Sequence, residues 1–175
     1  MASAPSPTNT RTRTPVTLTV LRTEQVNAHM VRVVLGGEGF DAFKAREETD
    51  AYVKLQLQHG DETVVRTYTV RRYDPVAREI WIDFVVHGDQ GVAGPWARTV
   101  KAGTTVDLMG PGAGYQPDPT ADFHLLAGDE TAIPAVAAAL ETLPADAVGA
   151  VYLEVGGEDD EVALTAPAGV EVTWL

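Results

Sequence analysis

The chain contains no cysteine, which excludes disulfides, thiolate zinc sites, cysteine-held iron–sulfur clusters and thiol redox chemistry. Any redox role therefore requires a bound cofactor. Positive charge is also scarce: 13 Lys and Arg stand against 25 Asp and Glu, giving a formal net charge of -12 and a sequence pI near 4.6. A field of that sign repels polyanions, so nucleic acid is not expected as a partner, and an anionic ligand needs its own cationic pocket. Long hydrophobic runs are missing as well. No stretch approaches the ~18 apolar residues of a membrane span, and the amino-terminal MASAPSPTNTRTRT lacks the apolar core of a secretory signal. The expectation is a cytoplasmic protein with no membrane span and a disordered tail over residues 1–14. His29, His59, His87 and His124 are scattered without ligand spacing, and EDDE (158–161) reads as a solvated acidic loop, so no metal site is expected. No serine stands in a nucleophile-elbow context.

What is present is a globular composition, 45% hydrophobic and 22% charged over 175 residues, enough for one domain and part of a second. From Pro15 the pattern is β: VTLTVLRTE (16–24), AHMVRVVL (28–35), AYVKLQLQ (51–58), TVVRTYTVRR (63–72), EIWIDFVVH (79–87) and TTVDLMG (104–110) are short β-branched and aromatic runs separated by turn residues. In the third, Val53, Leu55 and Leu57 alternate with Lys54, Gln56 and Gln58, the signature of a sheet with one wet face. The pattern predicts an antiparallel six-stranded β-barrel or a sandwich over 15–116, with a short helix within 91–103 and a connector over GPGAGYQPDP (110–119). Beyond it the grammar changes to FHLLAG (strand), TAIPAVAAALETL (helix, 131–143), AVGAVYLEV (strand) and VEVTWL (strand). This alternation predicts an incomplete α/β parallel-sheet domain over 117–175, with a helix for one of the two faces such a sheet must cover.

Three segments could carry chemistry. In RTYTVR (66–71) the strand period places Arg66, Tyr68 and Val70 on one face and Thr67, Thr69 and Arg71 on the other. Guanidinium groups suit phosphates, a phenol ring suits stacking and a threonine hydroxyl suits a polar ring edge. The hexapeptide alone is read more simply as an exposed strand with cross-strand charge pairs. In HGDQGVAGPWA (87–97) small residues at Gly91, Ala93 and Gly94 allow close approach of backbone amides before a helix, which suits a diphosphate; a plain strand-to-helix turn fits as well. AGDETAIPAVAAALE (127–141) is a strand–turn–helix whose turn faces the ligand edge of an α/β sheet, with Asp129 as a helix N-cap. Asp129 and Glu130 disfavour a phosphate there.

Taken in order, RTYTVR, HGDQGVAGPWA and AGDETAIPA resemble the siderophore-interacting protein family, flavin-dependent ferric-siderophore reductases of the ferredoxin-reductase-like superfamily. The likeness runs from about Pro15 to Leu175 and includes ADFHLLAGDETAIPAVAAALETLP. It implies an FAD-binding barrel followed by a domain that faces NAD(P)H. It implies that Arg66 lies near the FAD phosphates, Tyr68 against the isoalloxazine ring and Thr69 near its reactive edge, with Val70 and Arg71 continuing the lining. His87, Gly91, Val92, Ala93 and Trp96 would form the diphosphate and adenosine side, and Thr131 would close on the flavin from the second domain. The implied substrate is a ferric siderophore, reduced to release Fe(II), with NAD(P)H or a ferredoxin as electron donor. The DET turn differs from the glycine-rich turn that many relatives in the superfamily use for the nicotinamide diphosphate. Two other readings stay open on the residues alone: a flavin-binding module without a full NAD(P)H site, and a non-enzymatic ligand-binding barrel.

Overall fold

A computed structural model describes residues 14–89 and 91–175; apart from Thr14, the tail expected over 1–14 lies outside the described residues. The elements run β1 (Val16–Asn27), β2 (Met30–Gly36), β3 (Tyr52–His59), β4 (Glu62–Thr69), β5 (Arg72–Asp74), β6 (Glu79–Val85), α1 (Ala93–Thr99), β7 (Thr105–Gly112), β8 (His124–Asp129), α2 (Ile133–Thr142), β9 (Val148–Glu154) and β10 (Gly169–Trp174). Strands β1 to β7 form one antiparallel sheet in the order β4-β3-β7-β1-β2-β6-β5. Its ends curl toward one another as a half-barrel, bringing β4 beside β6 without a hydrogen-bonded ladder between them.

The alternation in β3 is realised: Val53, Leu55 and Leu57 are buried, whereas Lys54 and Gln58 are exposed. Each such buried aliphatic contributes about 1.5–3 kcal/mol relative to exposure. The barrel core adds Leu18, Val33, Ile80, Ile82, Phe84 and Leu108.

Seven strands replace the expected six, because the run TVVRTYTVRR serves two neighbours. Val70 N–H donates to Ala51 O (2.7 Å), ending the pairing with β3, and Arg71 N–H donates to Trp81 O (2.9 Å), beginning the pairing with β6. Two adjacent residues thus join the two edges of the sheet. The glycine-rich segment after residue 109 also departs from expectation: β7 continues through Gly112, opposite Tyr52. The Tyr52 ring lies over Gly112, where a Cβ would come within 2.4 Å of it and would make the ring move aside.

The second sheet has three parallel strands in the order β10-β9-β8. Ile133, Val136 and Leu140 of α2 pack on Val151, Leu153 and Val170, and Met30 of β2 belongs to the same core. That methionine joins the two sheets. On the opposite face Leu125, Val148 and Tyr152 are exposed.

Candidate functional site

Strand β4 carries the first half of the site. Tyr68 lies opposite Val53, and its half-buried ring rests on Phe84 with centroids 4.2 Å apart. Phe84 meets Trp96 of α1 at 5.5 Å, so the barrel core holds Tyr68 from behind. Burial pushes the Tyr68 phenol pKa up, with the charge of Arg66 pulling the other way.

A cleft of about 350 Å³ opens in front of this ring, within the usual range for ligand pockets. Tyr68 and Thr69 line it from β4, His87 from the segment just after β6, and Thr131 from the turn before α2. Four residues singled out in sequence therefore meet across the junction of the two sheets. The same cleft is lined by Thr67, Asp83, Val85 and Pro134, which the sequence reading missed. For Asp83 a signal existed: a carboxylate interrupts the apolar run EIWIDFVV. It is buried and bonded to Arg32.

Two local networks hold the far wall. His87 Nε2 stands 3.0 Å from Glu130 Oε1. Asp129 accepts the Thr131 N–H (2.9 Å) and hydroxyl (2.6 Å). The Thr131 hydroxyl bond is the main cause holding the Asp129 carboxyl below its ordinary pKa. Asp129 thereby closes the turn and is not the N-cap of α2; the cap position is Ala132, which makes no side-chain cap bond, and Pro134 occupies the first turn.

The remaining candidates lie around this cleft. Arg66 is exposed, and among the described residues its guanidinium donates to the neighbouring Val65 carbonyl (3.0 Å). Arg22, Arg32, Arg46, Arg71, Arg72, Arg78 and Arg98 each pair with a carboxylate. Among the described residues Arg66 is the one arginine without an ion pair. Gly91 adopts φ +76°, Val92 precedes α1 and Ala93 is buried. Gly94 is small for packing, since a Cβ there would come 3.2 Å from Val85 O. Trp96 reaches Tyr68 only through Phe84. Val70 and Arg71 line a neighbouring cleft of about 250 Å³ with Phe43, Tyr73 and Ala138, where both Arg71 Nη groups bond to Glu141 of α2.

The EDDE segment is only partly solvated. Asp160 is buried, its Oδ1 lies 2.6 Å from His29 Nδ1, and its carbonyl accepts a bond from Asn27. Among the described residues no cluster of three or more His, Asp or Glu is arranged to hold a metal ion, and no helix is long and apolar enough to cross a membrane.

Comparison with known proteins gives consistent matches. Residues 19–65 and 56–115 match the siderophore-interacting FAD-binding domain, and residues 121–175 match the siderophore-interacting protein model. The chain is 51% identical to an uncharacterized protein of Mycobacterium tuberculosis, covering 89% of this chain and 63% of that protein. It is 34% identical to the ferric vibriobactin reductase ViuB of Vibrio cholerae (92% of this chain, 66% of the relative). It is 36% identical to the NADPH-dependent ferric-chelate reductase of Escherichia coli (72% and 56%). The chain spans less than two thirds of the length of each of these relatives. Among solved structures, a siderophore utilization protein from T. fusca superposes with TM-score 0.83 at 36% identity, covering 93% of this chain and 69% of that one. The ferredoxin-NADP+ reductase of Plasmodium falciparum superposes with TM-score 0.74 at 11% identity (94% and 76%), a likeness of fold alone.

Proposed function

The chain belongs to the siderophore-interacting protein family, and from that premise we propose that it binds FAD at the Tyr68 cleft and delivers electrons to Fe(III) in a ferric siderophore, releasing Fe(II). The observation that carries this reading is the pairing of Arg66, the described arginine left without a carboxylate, with a ring-lined cleft two residues further along the same strand. In an acidic chain, an arginine kept out of ion pairs is a natural anchor for an anionic ligand.

The residues fit such a cofactor. The cleft has room for a flat ring system rather than a whole dinucleotide, its walls combine an aromatic face with threonine hydroxyls, and the Arg66 cation is near enough to act on the Tyr68 phenol. Arg66 would hold phosphate, Tyr68 would stack on the ring, and Thr69 and Thr131 would offer hydroxyls to its polar edge. His87, Gly91, Val92, Ala93 and Trp96 would border the diphosphate and adenosine side, with Val70 and Arg71 continuing the strand beyond the ring. Bound there, FAD supplies a two-electron store that can be drawn on one electron at a time. The protein's part is orientation and exclusion of water, with no protein acid or base needed. Fe(II) is held more weakly than Fe(III) by hard oxygen ligands, which makes reduction a means of release.

In this proposal residues 15–116 act as the FAD-binding domain and 117–175 as a partial α/β domain facing the electron donor, NAD(P)H or a ferredoxin. The NADPH-dependent relative from Escherichia coli favours the nicotinamide. A second reading, a flavin-binding module with an incomplete nicotinamide site, is favoured by one observation: among the described residues α2 covers one face of the second sheet while Leu125, Val148 and Tyr152 stay exposed on the other.

The test is anaerobic absorption spectroscopy of the FAD-loaded protein, bleached with dithionite freed of excess reductant and then mixed with a ferric siderophore. Return of the oxidised flavin bands together with trapped Fe(II) supports the reductase. A protein that takes up no FAD overturns it.

A further inference from the structure

Asp83 is a buried carboxylate that the proposed chemistry has not yet used. It is 6% exposed and sits on β6 between the fully buried Ile82 and Phe84. Its cross-strand neighbour on β2 is Arg32, which donates Nε–H to Oδ1 (2.7 Å) and Nη2–H to Oδ2 (2.8 Å). The Arg32 guanidinium also lies 4.6 Å over the Trp81 ring. Burial opposes the charge on Arg32, yet the bonds and charge of Asp83 keep its pKa above the ordinary value. Burying two charges carries a desolvation cost that an apolar pair would avoid, so the pair is poorly explained as a source of stability.

Its orientation is informative. Asp83 borders the Tyr68 cleft, and Arg32 does not. Both border a second cavity of about 220 Å³, lined also by Met30, Arg71 and Ile133. Asp83 therefore borders both spaces whereas Arg32 borders only the second, which leaves the carboxylate as the member of the pair that lines the Tyr68 cleft.

Resting on the flavin reading, we propose that Asp83, oriented by Arg32, tunes the reduction potential of a flavin bound in the Tyr68 cleft, lowering it and so making the reduced cofactor a stronger electron donor. A fixed negative end in a partly desolvated site disfavours added electron density nearby more strongly than it would in water. The two charges then have different duties: Arg66, two residues before Tyr68 on β4, attracts the phosphates, and Asp83 biases the ring.

The test compares the midpoint potential of bound FAD, measured by equilibration with reference dyes, in the wild type, Asp83→Asn, and the double variant Arg32→Met/Asp83→Leu. The asparagine keeps an acceptor for Arg32 while removing the charge; the apolar pair removes both charges and guards against loss of folding from an unpaired arginine. A shift to more positive potential in both variants, at saturating FAD, is the expected result. A merely structural role would change the denaturation midpoint and leave the potential in place. An unchanged or more negative potential in the variants overturns the tuning role while leaving the flavin reading intact. A wild type that binds no FAD overturns both.

Discussion

The ring of Tyr68 rests against Phe84 with centroids 4.2 Å apart and planes inclined by 37°. The aromatic group that faces the cleft is thereby fixed by a residue of the barrel core rather than by its own strand alone. Tyr68→Ala is expected to weaken FAD binding by about 1–3 kcal/mol, the usual worth of an aromatic stacking platform. Tyr68→Phe should bind FAD nearly as well as the wild type. Titration followed by flavin fluorescence separates the two, and equal affinity of wild type and alanine variant would remove Tyr68 from the seat.

Arg66 should act on the phosphates and not on the ring. Arg66→Ala is expected to cost about 1.5–3 kcal/mol in FAD affinity, the range for hydrogen bonds to a charged group. Riboflavin has no phosphate, so its affinity should be the same for both proteins. A parallel loss for riboflavin would mean that the substitution disturbs the cleft itself.

The fold was legible where the side-chain period was clean. Val53, Leu55 and Leu57 announced their buried face, and the change to strand–helix–strand grammar announced the parallel sheet. The break within TVVRTYTVRR was not legible, because alternation reports which face a residue takes and says nothing about which neighbour its backbone joins. Only the bonds from Val70 and Arg71 to different strands reveal it. Asp83 escaped for a similar reason: its partner Arg32 lies on another strand, 51 residues away. Asp129 was misassigned because an aspartate before a helix suits both a cap and a tight turn, and Thr131 supplies the partners for the turn.

Arg71 and Glu141 tie the sheet seam to α2 through a two-pronged ion pair. Because Glu141 is 38% exposed, its solvent-screened coupling should be modest, about 1 kcal/mol or less. A double-mutant cycle with Arg71→Ala and Glu141→Ala, read by urea unfolding, measures it. Strict additivity would mean that the pair contributes nothing beyond its two side chains.

Glu79 gives a pH prediction. Hydrogen bonds from Arg22, and then from Trp81, hold its carboxyl below the ordinary glutamate value of about 4.5. With a depressed folded-state pKa, its contribution is present above that value and is lost as pH falls through the lower folded-state value. The stability gap between wild type and Glu79→Gln should thus be widest near neutral pH, at about 1 kcal/mol or less, and should close in acid. Urea unfolding at several pH values checks this, and a gap that grows on acidification would contradict the sign.

The central claim is that one cleft between the two sheets seats the flavin. A crystal structure of the protein grown with FAD tests it most directly. The account predicts density for the ring system against Tyr68, bordered by His87 and Thr131, with phosphate density at Arg66. Density in the neighbouring cleft beside Phe43 and Arg71, with the Tyr68 cleft holding only solvent, would contradict it.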